Sequence, residues 1–419
     1  MSTHNTRRRF LKQSAALASA AFAAPYVIPD SAFGANEKIV TGHIGLGGQG
    51  NGNLGGFGSQ VGAVCDVDKR RMEGAMKKTG AKGYSDYREL LDQEDLDAVV
   101  VSTPDHWHAI TTIHACMAGK HVYCEKPLSL TIEDGRAMVA AARKHERIVQ
   151  TGSQQRSSSN FRQACEYVRS GRIGKLEKVL VGIAGANHPG KLPPDSDPPS
   201  YLDYDFWLGP AKEMPYNEKR VHYNFRFWWD YSGGQMTNWG AHHIDIGHWG
   251  IGCDDSGPLE VWAESVSFNP NKFHEVTEKC RVVMKYADDV TMIVGQGERD
   301  VPGGTTFIGS EGKIHVNRGK LSSDPADILK EPLKDSDVHL HPSGSHKGNF
   351  IDCIKSGALP ICDVEIGHRS ATACHLANIA CRTGERFKWD PEKEELTGPE
   401  AAAAMVTREY RKPWVLPKV

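Results

Sequence analysis

The sequence predicts an α/β protein whose N-terminal part is a doubly wound parallel sheet and whose remainder forms a second α/β domain. Short apolar runs alternate with helix-like segments at βαβ spacing from Lys38 to Gly152. The first run, Lys38 to Ile44, enters a G-x-G-x-x-G turn at Gly45-Leu46-Gly47-Gly48-Gln49-Gly50. Past residue 155, strand-like stretches are separated by polar turns. The 419 residues suit two or three domains. Hydrophobic residues make up 39% and charged residues 24%, an ordinary soluble composition that excludes wholesale disorder. Fifty basic against 52 acidic residues leave a net charge of −2, with no electrostatic footprint for nucleic acid or an anionic membrane. Ten cysteines without a C-x-x-C pair exclude a zinc ribbon or disulfide scaffold. Cys65 and Cys124, inside apolar runs, read as buried free thiols.

In chain order, residues 1–35 read as an address. Arg7-Arg8-Arg9-Phe10-Leu11-Lys12 precedes the Ala-rich run Ala15 to Ala24, and no acidic residue occurs before Asp30. The pattern resembles a twin-arginine export signal, with cleavage after Ala23 or nearer Ala35, and implies a periplasmic or otherwise exported protein. The run is too short to span a bilayer, so no membrane association is expected after its removal. Residues 36–155 are then assigned to the nucleotide-binding domain, 156–395 to a substrate and oligomerisation domain, and 396–419 to a tail.

The glycine turn admits close approach of backbone N–H groups to a pyrophosphate at the following helix N-terminus, which assigns Gly45, Gly47, Gln49 and Gly50 to a dinucleotide. The second strand, Val61 to Cys65, ends at Asp66, 21 residues after Gly45, where a carboxylate meets ribose hydroxyls. A 2′-phosphate would face that carboxylate, so NAD is expected ahead of NADP; Lys69-Arg70-Arg71 either open the next helix into solvent or, with the loop turned inward, receive that phosphate. The strand Leu96 to Val101 runs into Thr103 and Pro104, followed by His106 and His108; His121 to Cys124 runs into Glu125 and Lys126; Arg147 to Gly152 precedes Gln154. Ligands of such sheets bind beyond the strands' carboxyl ends, which places these residues at a cofactor cleft.

Three segments, Ile44 to Gly50, Thr103-Pro104-Asp105-His106-Trp107-His108 and Gly119 to Leu128, together resemble the Gfo/Idh/MocA oxidoreductases. The resemblance continues through Gly171 to Lys175, Trp207-Leu208-Gly209-Pro210 and Gly233 to Asp245, and ends at Tyr410-Arg411-Lys412-Pro413-Trp414. Trp207 to Pro210 and the C-terminal motif resemble the secreted branch. The resemblance implies a second domain with a large, mostly antiparallel sheet, which agrees with the strand-like Val179–Ile183, Leu259–Ala263, Arg281–Tyr286 and Thr305–Gly309. It also implies self-association through a sheet face.

By the same resemblance Lys126, in Glu125-Lys126-Pro127, is the catalytic lysine that manages the substrate hydroxyl. The family pattern of an Asp with a His four residues on falls on Asn238 and His242, so the acid is replaced by an amide that cannot relay a proton. On one continuous helix Asn238, His242 and Asp245 would share a face, leaving two options: His242 works with Asp245, or Lys126 carries the proton itself. His242, His243, Asp245 and His248 do not gather three ligands on one face, so no metal is expected. Arg156, Arg226, Trp229, Asp245 and His242 are the candidate substrate residues, since aromatic faces beside charged groups suit sugars. The implied activity is NAD-dependent oxidation of a sugar, polyol or sugar derivative at a carbinol carbon, with a retained cofactor and redox-neutral turnover in view. The alternatives are an NAD-dependent glycosidase and a non-catalytic sugar-binding relative.

Overall fold

The computed structural model describes residues 38–419; the export signal read from the first 35 residues lies outside them. The first sheet comprises β1 (Val40–Ile44), β2 (Gln60–Cys65), β3 (Lys82–Tyr84), β4 (Ala98–Val101), β5 (His121–Cys124) and β6 (Val149–Thr151). Its order is β3-β2-β1-β4-β5-β6 and every pairing is parallel. All four residues of β4 are buried, as expected of a strand covered on both faces. The crossovers carry α1 (Gly48–Asn53), α2 (Lys69–Thr79), α3 (Tyr87–Leu91), α4 (His108–Met117) and α5 (Ile132–Lys144). Sequence fixes their ends locally. Asp68 caps α2 by accepting from the Arg70 N–H, and Gly80 closes it in the left-handed conformation. Thr131 caps α5, which places Glu133 and Asp134 in its first turn and Arg143 and Lys144 in its last, both favourable to the helix dipole.

The second half begins with α6 (Ser159–Arg169) and β7 (Leu176–Ile183), followed by α7 (Gly234–Asn238) and α8 (Gly240–Ile251). Then come β8 (Glu260–Phe268), β9 (Thr277–Lys285), β10 (Thr291–Gln296), β11 (Gly304–Gly309), β12 (Lys313–Asn317) and β13 (Lys320–Asp324). Helices α9 (His346–Ser356) and α10 (Val364–Thr383) precede β14 (Phe387–Asp390) and β15 (Glu395–Thr397). The nine strands lie in the order β13-β12-β11-β7-β10-β9-β8-β14-β15. Only β7 and β10 run parallel; the other pairings are antiparallel. The four strand-like stretches read from sequence fall on β7, β8, β9 and β11, and the sheet recruits five further strands around them.

The two halves share packing. Helix α10 places Val364 and Ala371 in the core of the first sheet and Ala373 through Cys381 in the core of the second. The tail returns to the first half: the Trp414 ring lies 4.7 Å from Trp107 and 5.6 Å from Phe206, and Arg408 pairs with Asp134 at 3.2 Å. All ten cysteines are buried and free.

Two expectations are corrected at the junction. The helical run from Gly234 to Ile251 is not continuous: α7 ends at Asn238, and the His242 N–H bonds the Trp239 carbonyl at 3.0 Å rather than that of Asn238. Trp239 between them keeps right-handed helical dihedrals (φ −93°, ψ −32°), so the run loses the hydrogen bond from His242 to Asn238 rather than its course. Arg156 and Asp245, read as substrate residues, are consumed by the core instead. The Arg156 guanidinium, 1% exposed, donates to both Asp245 oxygens (2.8–3.0 Å) and to Asp254 (2.6 and 3.1 Å). Ser370 Oγ of α10 donates to Asp245 Oδ1 at 2.6 Å. Asp245 is thereby unavailable to His242. A charged residue just past a strand end reads as a ligand group; here it ties the end of the first sheet to α8 and α10. Breaking a buried pair on one side strands the other charge, so Arg156→Met is expected to lower the unfolding free energy by about 3–5 kcal/mol in chemical denaturation. Unchanged stability with a raised KM would return Arg156 to the substrate site.

Candidate active site

The site starts at the C-terminal end of β1. Gly45 has φ +83°, and a Cβ there would come within 2.7 Å of the Ser102 backbone. A Cβ on Gly50 would come within 1.9 Å of the Gly45 carbonyl oxygen, so α1 can pack against the turn only with glycine at that position. Gly47 precedes α1 without a side-chain cap, and nothing lies within 4 Å of a Cβ built on Gly48. At the end of β2, Asp66 Oδ2 accepts from the Leu46 N–H at 2.7 Å and Oδ1 from the Asp68 N–H at 2.8 Å. Burial raises its proton affinity against those two bonds, and each oxygen keeps a lone pair for a ligand hydroxyl.

From Gly47 and Asp66 a cavity of about 550 Å³ runs past Thr103 and Pro104 to Glu125, Lys126 and Asn238. Thr103 Oγ1 is buried there without a partner. Glu125 Oε1 accepts from Gln49 Nε2 and Asn53 Nδ2, each at 2.9 Å, which fixes the carboxylate against α1. His108 also lines the cavity; its Nδ1 faces the Pro127 carbonyl at 2.8 Å and its Nε2 the Thr103 carbonyl at 3.0 Å. Burial opposes charging of this ring, but Cys124, Asp105 and the Pro127 carbonyl outweigh it and push its pKa up to about 10.

At the far end, Lys126 Nζ donates to Asn238 Oδ1 at 2.8 Å and to the Asn238 carbonyl at 3.3 Å. The break after α7 leaves that carbonyl free for the lysine. Asn238 Nδ2 donates in turn to Gln235 Oε1 at 3.0 Å, which fixes the amide's orientation. Burial lowers the Lys126 pKa; Glu125 and Asp105 partly restore it, while Arg226 and Arg318 lower it further. His242 is 4% exposed, with Nδ1 unpartnered. Burial, then the positive charges of Lys126 and Arg318, hold its pKa well below the usual imidazole range. It is a neutral base or acceptor at physiological pH.

Other predicted residues fall elsewhere. His106 is fully buried, with Nε2 against the Trp207 carbonyl at 3.1 Å, so it holds the loop rather than facing the cavity. Gln154 is exposed outside the cavity lining. Trp229 lines a second cavity and stacks with Arg382 at 4.7 Å, away from Lys126. Asp245 and His248 are engaged by Arg156 and by the Tyr286 hydroxyl at 2.8 Å respectively, so neither joins His242. Arg226 does line the first cavity, beside Tyr223 and Phe225. Arg71, for which the sequence offered a solvated helix start or a place at the cofactor, lies within 3.0 Å of a Cβ built on Gly47 and lines the same cavity. Sequence reading missed Asp105, although it lay inside the Thr103–His108 motif; it is 4% exposed and accepts from Ser232 Oγ at 2.6 Å.

The residues fit a dinucleotide: an open turn at Gly47 and Gly48, a half-engaged Asp66 at one end, an orphaned Thr103 hydroxyl midway and Lys126 at the other.

Comparison with known proteins agrees with this geometry. Residues 41–153 match the oxidoreductase family's NAD-binding Rossmann fold, and residues 187–416 match its C-terminal alpha/beta domain. Inositol 2-dehydrogenase of Salmonella paratyphi B is 35% identical over 121 residues, 28% of this chain and 36% of the relative. Myo-inositol 2-dehydrogenase of Thermotoga maritima is 38% identical over 120 residues, with the same coverage of 28% and 36%. The match thus spans little more than a third of these curated relatives' length. The WlbA dehydrogenase from Bordetella pertussis, solved with NADH and UDP-GlcNAcA, superposes with a TM-score of 0.65 at 20% identity over 84% of this chain and 99% of that one. Through both matched domains, the chain belongs to the Gfo/Idh/MocA family of oxidoreductases.

Proposed function

We propose that this protein oxidises a secondary hydroxyl of a sugar, polyol or sugar derivative, with NAD held along the first cavity. The observation that carries the proposal is Lys126 Nζ at the cavity's end, anchored by both oxygens of Asn238 and depressed in proton affinity by burial. Gly47, Gln49, Asp66, Thr103 and Glu125 would hold the dinucleotide, and when bound it supplies the hydride acceptor. Lys126 in its neutral form takes the hydroxyl proton, and in its charged form donates to the developing alkoxide. Asn238 orients the amine without neutralising its charge, the role a carboxylate cannot fill. His242 stays neutral beside Lys126, with Nδ1 buried and unpartnered and the ring outside the lining of the first cavity. Arg71 stands beside the turn at Gly47 and Asp66 at the end of β2, and Asp66 favours NAD over NADP because a 2′-phosphate there would meet a carboxylate.

The arginine pair and Ala-rich run at the start of the chain support export by the twin-arginine route. Outside the cytoplasm no free nicotinamide pool recycles the cofactor, so we infer that NAD(H) is loaded before export and stays bound. The electron pair taken from one carbinol then returns to a second carbonyl substrate or to the same sugar, making the net chemistry redox-neutral. Such retention requires a Kd below about 1 μM, or roughly −8 kcal/mol.

Lys126→Met removes the titrating amine while leaving the glycine turn and Asp66 in place. Turnover is expected to fall on the order of 10²–10⁴ with NAD content per protein preserved; near-normal turnover removes Lys126 from the chemistry. Asn238→Asp sets a carboxylate where the amide oxygen lies 2.8 Å from Nζ, which favours the ammonium form. Because the oxidation needs the free amine, the rising limb of kcat/KM against pH is expected to move upward by about one to three pH units. A limb that stays in place assigns the proton to another group. For retention, protein purified without added nucleotide is denatured and the supernatant assayed; close to one NAD(H) per chain is expected, and empty protein that reduces added NAD stoichiometrically overturns the closed cycle.

A further inference from the structure

Three side-chain hydrogen bonds run in one direction from the reacting end of the first cavity to the second sheet. Lys126 Nζ donates to Asn238 Oδ1 at 2.8 Å, Asn238 Nδ2 to Gln235 Oε1 at 3.0 Å, and Gln235 Nε2 to the Gly185 carbonyl at 3.1 Å. Gly185 lies just past the end of β7, and its carbonyl is a main-chain acceptor that cannot donate. An amide can ordinarily turn over and exchange its oxygen for its nitrogen. Here the carbonyl at the far end forbids it. Gln235 must point Nε2 at Gly185, so Oε1 faces Asn238; Asn238 must then offer Nδ2 to Gln235, so Oδ1 faces the lysine. Gln235 is 6% exposed, and the second atom near its Nε2, Asn187 Oδ1 at 3.5 Å, is also an acceptor.

The polarity matters for what it leaves on Nζ. A lysine nitrogen has four tetrahedral positions, and Cε takes one. Two more are N–H groups turned to Asn238, one to Oδ1 and one to its main-chain oxygen at 3.3 Å. A single position remains. The neighbouring carboxylates have their own donors: Glu125 is engaged by Gln49 and Asn53, and Asp105 by Ser232. In the neutral amine both acceptors require hydrogens, so the open position is the lone pair; in the ammonium form it is the third N–H. Were the Asn238 amide reversed, its Nδ2 would donate to that lone pair and consume the base.

We propose that Gln235 is a positioning residue for proton transfer: through Asn238 it turns the one open position of Lys126 Nζ, lone pair or N–H, toward the cavity that Lys126 lines. The substrate hydroxyl proton enters that position as its O–H bond breaks and an N–H bond forms, and the same position returns it in the reverse direction. The proposal rests on reading the Lys126 cleft as an alcohol-oxidising site.

The test compares Gln235→Met and Gln235→Glu with the unaltered protein, each as the NAD-loaded full chain. Methionine leaves the Asn238 amide free to turn over. Glutamate offers an oxygen to Asn238 Nδ2 in either protonation state, and its acid form also donates to Gly185. The first readout is kcat on the high-pH plateau, over a panel of aldohexoses, their methyl glycosides and myo-inositol. On that plateau the amine is fully neutral, so a mere change in its proton affinity would move the rising limb and leave the plateau in place. The second readout is the rate of reductive methylation of Lys126 by formaldehyde and cyanoborohydride, followed on its peptide by mass spectrometry. Methylation needs the free lone pair and no sugar. Gln235→Met is expected to lower both by about ten- to hundredfold, at unchanged NAD content and thermal midpoint, and Gln235→Glu to recover both to within about threefold. Normal plateau and labelling in Gln235→Met, a Gln235→Glu variant no better than it, or losses that track lost NAD or a lowered thermal midpoint overturn the positioning role. Gln235-dependent methylation with no sugar oxidised supports the role and counts against the oxidoreductase reading. Oxidation indifferent to Gln235 leaves that reading standing and removes the positioning role alone.

Discussion

The site depends on one hydrogen-bonded contact between the two halves of the chain. Lys126 follows β5 of the first sheet, and its anchor Asn238 lies 112 residues later, at the end of α7. Two bonds from one ammonium or amine, to a side-chain and a main-chain oxygen of the same residue, place Nζ in a defined position only when the halves are docked. The break between α7 and α8 makes this possible, because a regular helix would have committed the Asn238 carbonyl to the His242 N–H. Docking itself is secured away from the chemistry, by α10 threading both cores and by the buried Arg156 pairing with Asp245 and Asp254. The same chain segments therefore supply rigidity at one end of the junction and an adjustable proton at the other.

Electrostatics follow from that placement. A lysine drawn from water beside two unpaired arginines loses proton affinity, and an imidazole buried among cations stays neutral. His108, a few residues past β4, is driven the opposite way because Cys124, Asp105 and the Pro127 carbonyl outweigh the burial that opposes its charge. One cleft thus holds a cationic imidazole, a neutral imidazole and a titratable amine, and the sorting is done by burial and fixed partners.

What could be read from sequence was what is local. The turn Gly45–Gly50, the carboxylate at the end of β2 and the lysine after β5 are each determined by a strand and the residues next to it, so motif and spacing locate them. Residues whose role depends on a distant partner were misread. Arg156 sits where a ligand group would, but Asp245 and Asp254 lie 89 and 98 positions away and claim it. Trp229 belongs to an aromatic-rich stretch that splits, with Phe227, Trp228 and Tyr231 buried together and Trp229 facing the second cavity. Arg71 could be read either as a solvated helix start or as a cofactor group, because only the tertiary fold decides that it returns over Gly47.

Asn238 links these observations. An aspartate in its place would bond the lysine more strongly, but it would also add a negative charge beside Trp239, on which the Arg318 guanidinium rests. In a buried setting that charge would neutralise the field of Lys126, Arg226 and Arg318 and oppose any anion brought near them. The amide keeps the hydrogen-bond geometry and omits the charge. It also leaves Lys126 without a carboxylate partner on that side, so its proton is held more weakly. A more acidic lysine is the consequence of the amide at this position.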